Sequence, residues 1–277
     1  MFDAIGVPDL DFSGIQHSDG LKHSDVHNLP AMSLGPLSEA ERYRFDVQGF
    51  LVRRGALNEG EIAALNAAID VLDVPRPGLD LASQRFVGHL PVARRFRDLI
   101  DHPAVLEIVR EICGPNVRLD HTYGIVMSPG TSGLALHGGA TPFDPAQYYL
   151  VQQGRIRTGL VAAQWALVDH PVDAGGFVCI PGSHRAGFSL PATFDRELAV
   201  QVPLDAGDVV VFTEALTHGT LPWRARHERR SLVYKYSPGN SAYSQVEWPP
   251  ELIAACTDRQ RLMLQPPSVG RHQPVVP

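Results

Sequence analysis

The chain has 277 residues, of which 44% are hydrophobic and 19% charged, and its formal net charge is −6. This composition is typical of a folded globular protein and excludes a disordered one. Because like charges form no block and the longest apolar runs are too short to span a bilayer, we expect neither a nucleic-acid partner nor a membrane.

The first 36 residues lack hydrophobic periodicity and are predicted to form an extended N-terminal arm or lid. They show no signal-peptide pattern. The three cysteines, Cys113, Cys179 and Cys256, are scattered and odd in number, which indicates buried free thiols in a reducing compartment. We therefore expect a cytoplasmic protein, and the sequence does not indicate its oligomeric state.

Three helical patterns follow the arm. Ser38 with Glu41, and Asn58 with Glu61, have the spacing of capping boxes at the start of two of them, and the strand "GFLVRRGAL" lies between. The third pattern, "HPAVLEIVREIC", ends at a Gly-Pro pair. Residues 73–90 are rich in proline and glycine and are predicted to form a loop.

From residue 117 the pattern changes to short β-rich runs separated by Gly, Pro and Asp clusters. Helices followed by many short strands predict a mainly β fold with flanking helices. We expect a double-stranded β-helix (a jelly roll, cupin-like) buttressed by the N-terminal helices. The predicted organisation is an arm at 1–36, a single jelly-roll domain at 37–265 that closes with a helix at "PELIAACTDRQRLML", and a C-terminal tail at 266–277.

Two histidines, His137 and His218, lie at the ends of predicted strands and are candidate metal ligands. On a jelly roll, two histidines and a carboxylate bind Fe(II) and leave positions open for a co-substrate and dioxygen. Arg229, on the strand after His218, can reach the same cavity, and its planar guanidinium suits the carboxylate of a 2-oxo acid. Each residue taken alone is more often structural or solvent-exposed.

Together these segments resemble the phytanoyl-CoA dioxygenase family of iron(II)/2-oxoglutarate-dependent oxygenases. "LSEAERYRFDVQGFLVRRGALNEGEIAALNAAID" resembles the family's opening helix, strand and helix, and "QWALVDHPVDAGGFVCIPGSHR" resembles its central segment. "GDVVVFTEALTHGT" with "RRSLVYKYSP" resembles its closing segment. The resemblance extends from Leu37 to about Tyr236 and follows the family's order.

The resemblance implies a role for each matching residue. His137 and His218 would be the iron ligands, and Arg229 would bind the distal carboxylate of 2-oxoglutarate, with the Thr220 hydroxyl beside it. Trp165, at the position of the family's inward-facing tryptophan, would line the co-substrate pocket. The implied cofactors are Fe(II) and 2-oxoglutarate.

The chain departs from the family at the proximal motif, where His-x-Asp reads His137-Gly138-Gly139. In the leading interpretation Gly139 leaves a coordination position open for chloride or bromide, as in the related halogenases, and the enzyme halogenates its substrate. In the second, the enzyme is a hydroxylase or dioxygenase with water, Asp144 or Glu214 as the third ligand. In the third, the protein is a non-catalytic relative that binds a small molecule.

The sequence says less about the substrate. Tyr148 and Arg155, on a predicted added hairpin, and Trp223, after the distal histidine, are candidate substrate contacts, although a solvated hairpin is the more common explanation for the first two. The expected partners are dioxygen and a small molecule, either free or tethered to a carrier.

Overall fold

Two antiparallel sheets face each other in the computed structural model, which describes residues 36–72, 74, 84–194, 196–270 and 274–275. The predicted arm, up to residue 35, lies outside the described residues, and so does part of the predicted tail. The division into arm, domain and tail therefore stays a prediction. The strands are β1 (Phe50–Arg53), β2 (Gln84–Phe86), β3 (Arg118–Met127), β4 (Leu134–His137), β5 (Tyr149–Gln152), β6 (Arg155–Thr158), β7 (Val161–Ala166), β8 (Gly176–Cys179), β9 (Val200–Gln201), β10 (Val209–Thr213), β11 (His218–Leu221) and β12 (Arg229–Ser237).

The large sheet has the order β1-β10-β7-β12-β3-β2, the small sheet has the order β4-β11-β8-β9, and β5 and β6 form a separate hairpin. Neighbouring strands are distant in sequence, as crossovers between two sheets require. Side chains alternate between the faces of each strand. Along β12, Val233 therefore packs between the sheets, whereas Leu232 and Tyr234 pack on the opposite face against the helices. This is the predicted jelly roll.

Helices cover the outer face of the large sheet. Both predicted capping boxes are present: Ser38 with Glu41 and Asn58 with Glu61 each exchange side-chain and backbone hydrogen bonds. The helices are α1 (Glu39–Gln48), α2 (Glu59–Asp70), α3 (Arg94–Asp98), α4 (Pro103–Cys113), α5 (Pro250–Ala254) and α6 (Asp258–Met263), with 3-10 turns at Ser183–Arg185 and Arg196–Leu198. Apolar side chains of α1 to α4 share one buried core with the outward side chains of the large sheet.

The structure corrects two sequence predictions. The single C-terminal helix is two short helices, because Thr257 forms a new capping box with Gln260 and starts α6. The loop predicted at 73–90 contains β2, whose three residues pair with β3. Three residues are too few to show an alternating pattern in the sequence.

The three cysteines are buried and free, as predicted. In the described part of the chain, no helix combines the length and apolarity needed to cross a bilayer.

His89 is a buried histidine in the helix-side core. Its ring lies edge-on to Phe96 at 5.0 Å and to Tyr234 at 6.0 Å between centroids. Nε2 is 3.3 Å from the Thr122 hydroxyl, and Nδ1 has no hydrogen-bond partner. Burial lowers the pKa of His89 to about 4.

This buried histidine predicts an acid-sensitive fold. As the pH falls below about 6.5, the unfolded chain takes up a proton that folded His89 does not accept until about pH 4, so stability is lost across that window. The contribution is at most about 3 kcal/mol. His89→Phe should therefore reduce the loss of unfolding free energy between pH 7 and pH 4.5, measured by denaturant titration. An unchanged pH profile would contradict this assignment.

Candidate active site

The two candidate metal ligands lie side by side on the inner face of the small sheet. His137 on β4 is the direct cross-strand partner of His218 on β11, and their ring centroids are 4.4 Å apart. The His218 ring also contacts Phe212 of the large sheet, 4.7 Å away, and Phe177 of β8, 6.1 Å away. Both imidazoles therefore lie between the sheets, where residues distant in sequence converge.

Backbone hydrogen bonds fix the orientation of both rings. Nδ1 of His137 is 2.9 Å from the Ala135 carbonyl oxygen, and Nδ1 of His218 is 2.7 Å from that of Leu216. A carbonyl only accepts, so each Nδ1 carries the proton and each Nε2 keeps its lone pair for a ligand. Burial lowers the pKa of His137, and burial with the neighbouring His137 lowers that of His218 to about 3. Both rings are therefore neutral, which is the form that binds metals.

The glycines after His137 pack tightly against the segment that precedes His218. Gly138 and Gly139 have φ values of 108° and 58°. The Gly139 N–H lies 3.0 Å from the Glu214 carbonyl oxygen and 2.9 Å from Oε1 of Gln147. A Cβ atom at Gly139 would overlap the Ala215 carbonyl oxygen and lie 3.1 Å from its carbon. This close approach requires glycine at position 139, whatever binds at the histidines.

Glu214 places a carboxylate in the same interior. It follows β10 and is buried, with Oε2 2.9 Å from Nζ of Lys235 on β12, whereas Oε1 has no hydrogen-bond partner in the part of the chain that the structure describes. Burial raises the pKa of Glu214, but the positive charge of Lys235 and the interactions with His218 and His137 outweigh burial and lower it to about 2. The carboxylate is therefore ionised, and one of its oxygens is free.

Asp144, the other carboxylate considered as a third ligand, has local partners. Its Oδ1 accepts the Ala146 backbone N–H at 2.8 Å, and its carboxylate also accepts from the Tyr243 hydroxyl. Among the described residues, no three His, Cys, Asp or Glu side chains converge closely enough to hold a metal ion. The metal-binding part of the site is thus the histidine pair, with Glu214 in electrostatic contact.

Arg229, the first residue of β12, is fully buried between the sheets, and no carboxylate of the described residues pairs with it. Its Nη1 contacts the sulfur of Met127 at 3.0 Å, and within the same part of the chain Nε and Nη2 have no hydrogen-bond partner. Burial lowers its pKa to about 10, so the guanidinium is charged at neutral pH. Burying a cation with free N–H groups destabilises the folded protein unless an anion binds to it. These features fit the carboxylate of an organic acid.

The neighbours of Arg229 follow from strand alternation. Arg230 faces outward and forms ion pairs with Asp70, 2.7 Å away, and Glu228, 2.8 Å away. Thr220 lies on the inner face of β11, two residues beyond His218, and is buried. Besides the Glu214–Lys235 ion pair, the inner space therefore holds the histidine pair, the Thr220 hydroxyl and the Arg229 guanidinium.

Trp165 does not line this space, and the prediction that it does is wrong. Its indole lies in the helix-side core, with its centroid 4.9 Å from that of the His102 ring. Gln164, one position earlier, faces inward instead, because a shift of one residue along a strand exchanges the faces. Gln164 is buried and its Nε2 has no partner, so it is an interior polar residue that the sequence analysis missed.

The predicted substrate contacts also lie elsewhere. The predicted hairpin is present as β5 and β6, but it packs on α4 through buried Ile156, which places Tyr148 and Arg155 on the helix side of the large sheet. Trp223 is fully buried, and its Nε1 donates to the His227 carbonyl oxygen at 2.6 Å. These three residues are therefore not at the entrance to the histidines.

A different set of aromatic side chains lies around β3, and we call it the β3 aromatic group, defined here as His121, Tyr123 and Tyr243. The His121 ring is stacked between the two tyrosine rings, 6.1 Å from each. Its Nδ1 is 2.7 Å from Oδ1 of the buried Asp120, which fixes the ring. The signal was present in the sequence, since "HTY" puts two ring residues on one face of a strand.

Two cationic side chains, Arg85 and Lys235, lie close to the β3 aromatic group and also act electrostatically on His137. The Arg85 guanidinium lies 4.8 Å above the Tyr123 ring, and Nζ of Lys235 lies 5.8 Å from the same ring. The positive charges of Lys235 and Arg85 both act on His137. The β3 aromatic group therefore lies at the histidine end of the interior.

Comparisons with known proteins identify the family and the fold of this chain. The family model described as phytanoyl-CoA dioxygenase matches residues 45–231. HygX from Streptomyces hygroscopicus, solved with nickel and 2-oxoglutarate bound, is 25% identical, with a TM-score of 0.68 over 76% of this chain and 90% of HygX. HygX has also been solved with iron bound. These findings confirm the fold class and, at the level of the family, the predicted oxygenase.

Two further relatives are more distant. The carbocyclase SnoK from nogalamycin biosynthesis is 22% identical, with a TM-score of 0.59 over 87% of this chain and 98% of SnoK, which supports the fold alone. Dioxygenase af480 from Aspergillus fumigatus is 23% identical over 159 residues, or 57% of this chain. That match spans about half, 49%, of the Aspergillus protein.

Proposed function

Because the chain belongs to the phytanoyl-CoA dioxygenase family, we propose that it is a non-haem iron(II)- and 2-oxoglutarate-dependent oxidoreductase. Its substrate in this proposal is a small molecule with a reactive aliphatic C–H bond. An iron(II) ion held by the two histidines would couple the oxidative decarboxylation of 2-oxoglutarate by dioxygen to oxidation of that bond.

The observation that carries the proposal is the pairing of two oriented, neutral histidines with a buried arginine that has no counter-ion. His137 and His218 each keep Nε2 free for a metal. Arg229 offers two unpartnered N–H groups to a carboxylate, and Thr220 adds a hydroxyl nearby. These groups bind and orient a 2-oxo diacid, whereas a binding module without a metal has no use for the histidine pair.

The third coordination position decides the reaction outcome. Gly139 in place of a carboxylate leaves room for chloride or bromide, which is the basis of the halogenation reading. Packing against Ala215 already explains this glycine, however, and Glu214 supplies an ionised carboxylate with a free oxygen inside the same space. We therefore favour oxygenation over radical halogenation, with Glu214 as the non-standard carboxylate. Because Glu214 does not converge with the histidine pair among the described residues, this role requires its side chain to turn from Lys235 towards the histidines.

The substrate enters, in this proposal, past the β3 aromatic group. HygX has been solved with nickel, 2-oxoglutarate and hygromycin B bound, so a related protein binds a small molecule together with a metal and 2-oxoglutarate. The rings of the β3 aromatic group offer stacking surfaces, and Arg85 offers a cation without an ion pair among the described residues. A small polar molecule with a ring or an acidic group suits this entrance.

The proposal predicts a spectroscopic signature. Anaerobic protein mixed with Fe(II) and 2-oxoglutarate should show the weak visible charge-transfer band of the chelate. His137→Ala and His218→Ala should each weaken metal binding by at least about 100-fold, because each removes a direct ligand. His227→Ala, at an exposed histidine, is the control and should keep the band.

The same experiment separates the alternatives. If wild-type protein gives no band and no thermal shift with metal plus 2-oxoglutarate, the protein is a non-catalytic binding relative. If chloride shifts the band and binds more tightly with 2-oxoglutarate, a halide occupies the position near Gly139 and halogenation replaces oxygenation in the proposal.

A further inference from the structure

A second unpartnered polar side chain lies beside Arg229. His170 is fully buried, and among the described residues neither of its ring nitrogens has a partner at hydrogen-bond geometry, although the ring is in contact with the Arg230 carbonyl. The carbonyl of Arg230, which faces this ring, accepts the Leu167 backbone N–H at 3.0 Å. The His170 backbone is fixed by two hydrogen bonds with Leu204, of 2.7 and 3.1 Å. The His170 backbone is therefore held in place, and the ring nitrogen that does not face the Arg230 carbonyl remains available.

Gly176 leaves a small space next to this ring, which an added Cβ atom would fill in ordinary van der Waals contact. A Cβ atom at Gly176 would lie 3.6 Å from Nε of Arg229, 3.8 Å from Nδ1 of His170 and 3.8 Å from Cζ3 of Trp223. Gly176 has a φ of 92°, which glycine adopts without strain. The Trp223 ring packs edge-on to His170 at 5.4 Å and forms an apolar wall. A guanidinium, an imidazole and an indole thus surround one small gap.

The chemistry of this gap suits an anion. No Asp or Glu side chain pairs with Arg229 among the described residues, and Trp223 uses its Nε1 on the His227 carbonyl. One carboxylate in the gap can accept from the Arg229 guanidinium through one oxygen and from an N–H of His170 through the other. Hydrogen bonds to a buried charged group contribute more than those between neutral groups.

We infer that His170 is a second anchor for the distal carboxylate of the co-substrate, with its imidazole positioned by Leu204 and Trp223. This inference rests on the proposed function. It assigns to His170 the discrimination between 2-oxo diacids and 2-oxo acids that lack the second carboxylate. His170 touches the co-substrate at the end remote from the histidine pair and has no part in metal binding.

Binding measurements with a non-oxidising metal test the inference. Protein loaded with Ni(II) is titrated by calorimetry with 2-oxoglutarate and with 2-oxopentanoate, which has the same carbon chain without the distal carboxylate. His170→Phe fills the volume without an N–H and should weaken 2-oxoglutarate binding roughly tenfold or more. It should leave 2-oxopentanoate and Ni(II) affinities within about twofold, and His170→Gln, which keeps a donor, should recover most of the loss.

Arg229→Gln distinguishes a failure of the His170 role from a failure of the proposed function. If it weakens 2-oxoglutarate binding and His170→Phe does not, the role of His170 is overturned and the proposed function stands. If neither variant changes 2-oxoglutarate binding, the co-substrate site itself is wrong. Equal losses for both acids in His170→Phe would indicate a merely structural residue and overturn the inference.

A measurement on wild-type protein keeps the test independent of folding. In protein labelled with ¹⁵N-histidine and loaded with Zn(II), 2-oxoglutarate should shift the His170 ring ¹H–¹⁵N signals, and 2-oxopentanoate should not. His170→Gln assigns the signals. Unchanged signals under saturating 2-oxoglutarate would overturn the inference.

Discussion

Glu214→Met should destabilise the protein by about 3–5 kcal/mol, the cost of leaving the buried ammonium of Lys235 without its partner. Both side chains are buried, Glu214 at the end of β10 and Lys235 on β12, two strands that flank β7 in the large sheet, and their 2.9 Å ion pair lies between the two sheets. Lys235→Met should cost a similar amount, because it leaves the Glu214 carboxylate unpaired. Denaturant unfolding of each variant measures the loss.

The double variant separates folding from metal binding. Glu214→Met with Lys235→Met replaces the ion pair by two apolar side chains and should recover most of the stability, since such exchanges are often neutral. If Glu214 is the non-standard carboxylate, Fe(II) affinity of this stable double variant should still be at least about tenfold below wild type. If the double variant binds Fe(II) as tightly as wild type, Glu214 is not a ligand, and an open halide position becomes the favoured interpretation.

Gly139→Asp, which restores the family's carboxylate in sequence, should destabilise the protein by about 3 kcal/mol rather than tighten iron binding. The added Cβ atom would overlap the Ala215 carbonyl oxygen, and the backbone at 138–139 cannot move away without breaking the hydrogen bonds of the Gly139 N–H. Thermal and denaturant unfolding of the variant, with an Fe(II) titration, checks both parts.

Gly154→Asp is the matched control. Gly154, in the turn between β5 and β6, also has a positive φ, 71°, but an added Cβ atom there meets no atom within 4 Å. Aspartate tolerates this backbone region, so the control should lose little stability. Similar losses at both positions would assign the effect to backbone strain. A stable Gly139→Asp variant with tighter iron binding would contradict the packing explanation.

Arg229 and Trp165 show which side-chain directions the sequence can predict and which it cannot. The capping boxes, the jelly roll and the inward direction of Arg229 follow from local spacing and alternation, which the sequence displays. The prediction that Trp165 faces the interior between the sheets was wrong because β7 is hydrophobic and buried on both faces. Such a strand shows no alternation from which the direction of the indole could be predicted. The family resemblance matched Trp165 to a tryptophan of the family, but it did not establish the register of the strand.

Glu214 and Gly139 illustrate a second limit. The importance of Glu214 depends on Lys235, which lies on another strand, and an ion pair between distant strands leaves no mark at either position in the sequence. Gly139 was interpreted through the ligand that it lacks. The reason for the glycine is a backbone contact with Ala215, and contacts of this kind become visible only in three dimensions.

The position of β4 in the small sheet has a kinetic consequence. β4 is an outermost strand with β11 as its single neighbour, and its pairing is irregular between His218 and Thr220. Edge strands fray more readily than central ones, and fraying of β4 carries His137 away from its partner. A metal held between the histidines would cross-link the two strands, so its residence time would be set by the opening of a sheet edge. Hydrogen exchange at β4 would then report metal release.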